Sequence, residues 1–346
     1  MTSRRRGLLL AFAACAALLL PLAWLWQASL LPDRYSVMEM GYPDTGGGPG
    51  PSGGHGGHRT SVDELIADPD RPADVAVSLV TRAETIRLPR GPRVEGFTVN
   101  GTSPGPTIEV VQGELLEVTV RNAGVEDGVA IHWHGVDVPN AMDGVAGVTQ
   151  DAIPVGGRHV YRFVAEQAGS YWYHSHQVSH EQVRGGLLGA LIVRPAGQRS
   201  DPREELALLH VYRGTPTVNG QAGPRRIPAR PGERVRIRVI NTDNGAVNVW
   251  TSGGGYRLLA VDGRDVNAPQ WVGRRYVEVT AGGRADLEVT APVRVEFGAT
   301  ALVIGAGVRP SPQPARVVFH PRHAKAEIGI RGVGQRRGIV EDEHHA

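Results

Sequence analysis

The stretch Gly113-Glu114-Leu115-Leu116-Glu117-Val118-Thr119-Val120-Arg121-Asn122 returns in outline as Gly232-Glu233-Arg234-Val235-Arg236-Ile237-Arg238-Val239-Ile240-Asn241. Each copy runs from Gly-Glu through largely alternating apolar and polar residues to an asparagine. Alternation with a period of two marks a strand with one buried face. Val99-Asn100-Gly101 precedes the first copy and Val218-Asn219-Gly220 the second. In both, 13 positions separate Asn from Gly and 9 separate Gly from Asn, and the copies are offset by 119. A duplicated β-sandwich accounts for that regularity.

The rest of the chain agrees. Gly189-Ala190-Leu191-Ile192-Val193 reads as a strand buried on both faces, and nothing beyond the N-terminal segment shows a long helical period. Gly and Pro, 46 and 25 of 346 residues, make up about a fifth of the chain, which suits many short strands joined by tight turns. The expected fold is all-β, with tandem Greek-key sandwiches at 76–197 and 203–307. A signal peptide or anchor helix at 1–30 and a flexible Gly/Pro linker at 31–75 precede them, and an irregular tail follows at 308–346.

Charge narrows the partners. Lys+Arg 37 against Asp+Glu 35 leaves no large basic surface, so nucleic acid is not an expected partner. Arg4-Arg5-Arg6 ahead of an apolar run from Gly7 to about Trp26 reads as an export segment, and Ser3-Arg4-Arg5 resembles a twin-arginine signal. The chain is therefore expected outside the cytoplasm, touching the membrane through this segment if it stays uncleaved. Met38, Met40, His55 and His58 in the linker are soft and imidazole ligands that could hold copper loosely; their other reading is as incidental residues of a flexible spacer.

The chemistry lies in two short runs. Side chains two apart on a strand share a face. In Ile131-His132-Trp133-His134-Gly135 the imidazoles project together while Trp133 points the other way, and Tyr173-His174-Ser175-His176 repeats the device. On neighbouring strands the two pairs put four imidazoles on one patch, a donor set that suits copper, zinc, iron or nickel. His159 is read as structural, His180 as a loop residue, and Trp133, Trp172 and Tyr173 as packing.

His132-Trp133-His134-Gly135, then Trp172-Tyr173-His174-Ser175-His176 with Gly185-Gly186-Leu187-Leu188-Gly189 behind it, resembles the multicopper oxidases, the laccase and copper-efflux oxidase family, over about residues 78–305. That resemblance implies cupredoxin domains, a blue type 1 copper that takes electrons from substrate, and a trinuclear cluster that reduces O2 to water. It implies phenols or metal ions as substrates. By motif, His132 would ligate the type 2 copper, His134 and His174 one type 3 copper, and His176 the other. Asp143, in Met142-Asp143-Gly144-Val145, would relay protons near the cluster; its other reading is a turn residue before glycine. Where the first copy has His132 and His134, the second offers Asn248 and Trp250, so the second sandwich is expected to be metal-free.

The family also uses four further histidines and a cysteine thiolate, both drawn from a third domain. The single cysteine, Cys15, sits in the apolar N-terminal run. His320-Pro321-Arg322-His323-Ala324-Lys325 imitates one missing motif but ends in lysine. The expectation is a truncated, laccase-like oxidase with type 2 and type 3 ligands only, inactive alone. The rival readings are a non-catalytic copper-sequestering protein and a degenerate structural cupredoxin.

Overall fold

The computed structural model describes residues 15–27, 65–198 and 203–316. The expectations at Arg4 to Arg6, Met38, Met40, His55, His58 and His320 to Lys325 lie outside them. Residues 15–27 form a helix within a separate compact unit, Met1–Met40. No described helix is long and apolar enough to cross a membrane.

The first sandwich has eight strands: β1 (Val75–Arg87), β2 (Arg93–Val99), β3 (Ile108–Val111), β4 (Leu115–Asn122), β5 (Ile131–His134), β6 (Arg158–Val164), β7 (Gly169–Ser175) and β8 (Leu188–Arg194). They make two sheets, ordered β2-β1-β4-β6 and β3-β8-β7-β5. The pairs β1–β4 and β3–β8 are parallel and the rest antiparallel. Leu116, Val118, Val120, Trp133, Tyr161, Phe163, Tyr171 and Tyr173 fill the space between the sheets. Trp133 packs edge-on to Tyr161 at 5.5 Å, so it serves the core, as its place between the two histidines predicts.

The second sandwich repeats this pattern. Glu204–Tyr212 runs parallel to Arg234–Asn241, and Arg225–Ile227 runs parallel to Thr300–Ile304. The repeated asparagines explain the sequence signal. Asn100 and Asn219 both sit at left-handed turns, φ 53 and 51. Each side-chain oxygen accepts from the strand before it: Val80 N at 2.6 Å and Leu208 N at 2.8 Å. Asn122 and Asn241 are fully buried and tie down the loop after the strand. Asn122 Nδ2 donates to Val125 O and Ile153 O, and Asn241 Nδ2 donates to Gly245 O and Thr280 O. Buried polar side chains persist only when paired in this way.

Two details depart from the alternation. Arg234–Asn241 buries both faces, because Ile240 and Leu208 pack against Trp172, Leu188, Ala190 and Ile192 of the first sandwich. Beside that apolar seam, Asp286 accepts from Ser170 Oγ at 2.6 Å and pairs with Arg236 at 2.5 Å and Arg238 at 3.0 Å. Glu204 bridges Arg194 and Arg238 at 3.2 and 2.8 Å. The tail is not wholly irregular either, since Ala315–Arg316 pairs with Arg275–Val279.

Candidate metal centre

β5 is the outer strand of its sheet and lies antiparallel to β7, with His132 opposite His174 and His134 opposite Trp172. Core packing of Ile131, Trp133, Tyr171 and Tyr173 on one face leaves His132, His134, Trp172 and His174 on the other. One nitrogen of each of His132, His134 and His174 lies within 4.8 Å of the others, close enough for one ion. His176 is near but outside that group, its ring centre 5.5 Å from that of His132 and 6.3 Å from that of His174.

Hydrogen bonds select the donor nitrogens. His174 Nδ1 donates to the Ser175 carbonyl at 2.9 Å, which leaves the lone pair on Nε2. His132 Nδ1 bonds the Asp143 carbonyl at 2.8 Å and lies 3.2 Å from the Asp143 carboxylate, which places its lone pair on Nε2 too. His134 differs: its Nδ1 faces His174 Nε2 at 3.3 Å. A backbone or carboxylate bond on the far nitrogen is the usual way a protein fixes the tautomer of a metal ligand.

The electrostatics favour neutral imidazole, the form that binds metal. Burial lowers His174 well below the usual range, and lowers His176 with help from the charge of His132. His134 is pushed down to about 4 by burial, then by Arg284, His132 and His176. His132 goes the other way: burial pulls it down, but the hydrogen bonds and charge of Asp143 outweigh that and raise it. Asp143 is lowered in turn, first by its bond to His132. Imidazole donors around an aromatic wall fit copper. Asp143 closes the short turn Asn140–Met142, and its carboxylate faces His132.

Other residues fall differently from the sequence expectations. His180 is not in a loop but in the short helix Ser179–Arg184, where a run of six residues is too brief to show a helical period. It bonds Asn244 and Arg184, away from the imidazole group. Trp172 does more than pack the core: its ring lies 4.7 Å from His134 and 4.3 Å from His174, forming the site's wall. Its position two residues before His174 carried that signal. Gly282 and Arg284 of the second sandwich close the wall at His134, and no motif announced them.

The turned-out face of Val247–Ser252 carries Asn248, Trp250 and Ser252.

Residues 81–198 match the family model described as multicopper oxidase. Laccase-1 of Botryotinia fuckeliana is 34% identical over 192 residues, 47% of this chain and 34% of that protein. Copper resistance protein A of Pseudomonas syringae pv. tomato is 41% identical over 103 residues, 30% of this chain and 16% of that protein. The chain thus spans about a third or less of these relatives' length. Among solved structures, a multi-copper oxidase from Pseudomonas Thermotolerans superposes with TM-score 0.62 at 27% identity, covering 72% of this chain and 68% of that one. Coverage of that extent takes in more than either sandwich alone. The family model, the relatives and the solved structure together support a laccase-like member of the multicopper oxidase family.

Proposed function

We propose that this chain supplies the first half of a trinuclear copper centre, with His132, His134, His174 and His176 as its ligands and Asp143 as a proton relay. The observation that carries the reading is the set of three imidazole nitrogens within 4.8 Å, two of them oriented by carbonyl bonds on the far nitrogen. Copper at such a centre supplies electron transfer to O2, which is reduced to water while phenols or metal ions are oxidised. The chain's own residues favour the neutral form of His134, His174 and His176, wall the site on the Trp172 side, and keep a carboxylate 3.2 Å from His132. Asp143 can accept or return a proton at Oδ1, a positioned carboxylate being a common acid–base group.

Neither sandwich contains a cysteine, so a copper–thiolate centre is not built from their residues. The electron-entry site and the remaining imidazoles must come from outside the two sandwiches, in further sequence or a partner chain. Export through the N-terminal segment belongs to the same proposal.

The test is copper binding. Full-length chain titrated with cupric ion is expected to bind more, and more tightly, than a variant with His132, His134, His174 and His176 all replaced by alanine. The other nine of the 13 histidines are common to both proteins and cancel. Bound copper should show nitrogen ligation without the intense thiolate absorption. Equal binding by the two proteins would mean that the ligands lie elsewhere.

A further inference from the structure

His134 is held from two directions. Trp172 stacks on its ring at 4.7 Å, an arrangement internal to the first sandwich. Its far edge meets the second sandwich at Gly282. A Cβ on Gly282 would stand 2.8 Å from His134 Cε1 and 2.9 Å from Nε2, closer than real Cβ atoms approach. Only hydrogen fits there. The φ of +68 at this residue also favours glycine.

The same loop is fastened to the wall behind the site. The Gly282 carbonyl accepts from Trp172 Nε1 at 3.2 Å and from Arg284 Nη1 at 3.4 Å. Arg284 Nε donates to the Ser170 carbonyl at 3.2 Å, its guanidinium lies 5.6 Å over the Tyr171 ring, and Asp262 pairs with it at 3.3 Å. The guanidinium also occupies the space a side chain at Gly135, next to His134, would need. The loop after residue 280 therefore grips both neighbours of the ligand, Trp172 and Gly135.

We propose that Gly282 and Arg284 make the metal-free second sandwich the positioning element of the copper site, fixing His134 so that its Nδ1 points at His174 Nε2. This rests on the copper reading above. Neither residue is a ligand: Gly282 acts by leaving room for one ring orientation, and Arg284 by holding the loop and Gly135 in place. A second sandwich without ligands is then part of the site's geometry.

Gly298 provides the matched control. Its φ is +67, like that of Gly282, but nothing lies within 4 Å of where its Cβ would be. Gly282→Ala and Gly298→Ala thus carry the same backbone penalty, and only the first touches His134. Cupric affinity is measured on the full chain by competition with a chelator, together with the electron paramagnetic resonance spectrum of the bound ion. Gly282→Ala is expected to weaken binding about tenfold to a hundredfold, as loss of a ligand-orienting partner does, and to change the hyperfine splitting. Gly298→Ala should retain wild-type affinity and spectrum. Should Gly282→Ala not fold, Arg284→Lys, which keeps the charge but loses the fork, is expected to shift the spectrum in the same way. Wild-type affinity and spectrum in the folded Gly282→Ala protein, or a wild-type spectrum in Arg284→Lys where it stands in, would overturn the proposal while leaving the copper reading intact. Wild-type chain binding no more copper than the four-alanine variant would sink the copper reading and this proposal with it.

Discussion

The two sandwiches share strand order, parallel pairs and buried asparagines, yet differ on one face. In the first, the face of β5 and β7 turned from the core carries His132, His134 and His174. In the second, the related face carries Trp250 and Ser252 opposite Glu296 and Arg294. Ser252 Oγ donates to Glu296 at 2.9 Å, Arg294 pairs with Glu296 at 2.8 Å, and Ser252 Oγ accepts from Ser311 N at 2.9 Å. One face is a cluster of imidazoles that meet one another and the other a satisfied polar patch bonded to Ser311. Core-facing residues and turn asparagines thus fix the scaffold, and the alternate face is left for chemistry.

The comparison breaks most severely if the seam between the halves fails. Asp286 is only 2% exposed and answers two arginines, so Asp286→Ala strands buried positive charge beside Ser170. Removing one partner of a buried pair costs about 3–5 kcal/mol. Urea unfolding should show that loss, with Asp286→Asn falling between the two. A loss below about 1 kcal/mol would mean that water relieves the network and that the halves are held by the apolar seam alone.

The asparagines sharpen the likeness instead. Asn122→Ala and Asn241→Ala each remove the side-chain bonds that tie down the following loop, and take the acceptor from a backbone N–H there, Val125 and Asp243 respectively. An unsatisfied buried group costs about 1–3 kcal/mol, so each variant is expected to lose about 2–3 kcal/mol in the same unfolding assay. Near-equal losses would mean that the repeat preserves one structural device twice. A neutral Asn241→Ala would mean that the second loop is held by something else.

Much of this was legible in the sequence, for physical reasons. A period of two predicts which side of Leu115 to Val120 is buried, and His-x-His on strands predicts a shared face; both follow from backbone geometry. The repeat spacing was legible because Asn100, Asn122 and their copies each perform a local hydrogen-bonding task. What contacts between distant segments decide was not legible. Gly282 and Arg284 meet His134 and Gly135 across nearly 150 positions of chain, and a glycine chosen for lack of bulk leaves no pattern. The second buried face of Arg234–Asn241 likewise depends on which surface docks against it.

The smallest expected effect concerns acid, and its sign follows from the direction of each shift. An unfolded histidine titrates near 6.5. Folded His134, at about 4, stays neutral between those values, as burial and the charge of Arg284 dictate. His174 and His176 are lowered too, chiefly by burial. Over that window the unfolded chain binds protons that the folded site refuses, so the stability of the metal-free chain falls as pH drops from about 6.5 towards about 4. His132 opposes this: its raised value gives stability present below 6.5 and lost as pH rises through its folded pKa. Asp143, lowered by His132, adds stability that is lost only at more acidic pH, as its own folded value is crossed. Three lowered histidines against one raised leave a net loss on acidification. His210, the second sandwich's described histidine, is also lowered by burial, partly offset by Asp243, and His159 is lowered by burial alone. The useful quantity is therefore a difference: stability at pH 7 minus stability at pH 5, compared between wild type and the four-alanine variant. Wild type should show the larger drop, with the variant retaining only what His159 and His210 contribute. Added cupric ion should steepen the wild-type dependence alone, because protons and copper compete for the same lone pairs. Identical drops in both proteins would place the acid sensitivity outside the imidazole patch, at groups such as His159 and His210.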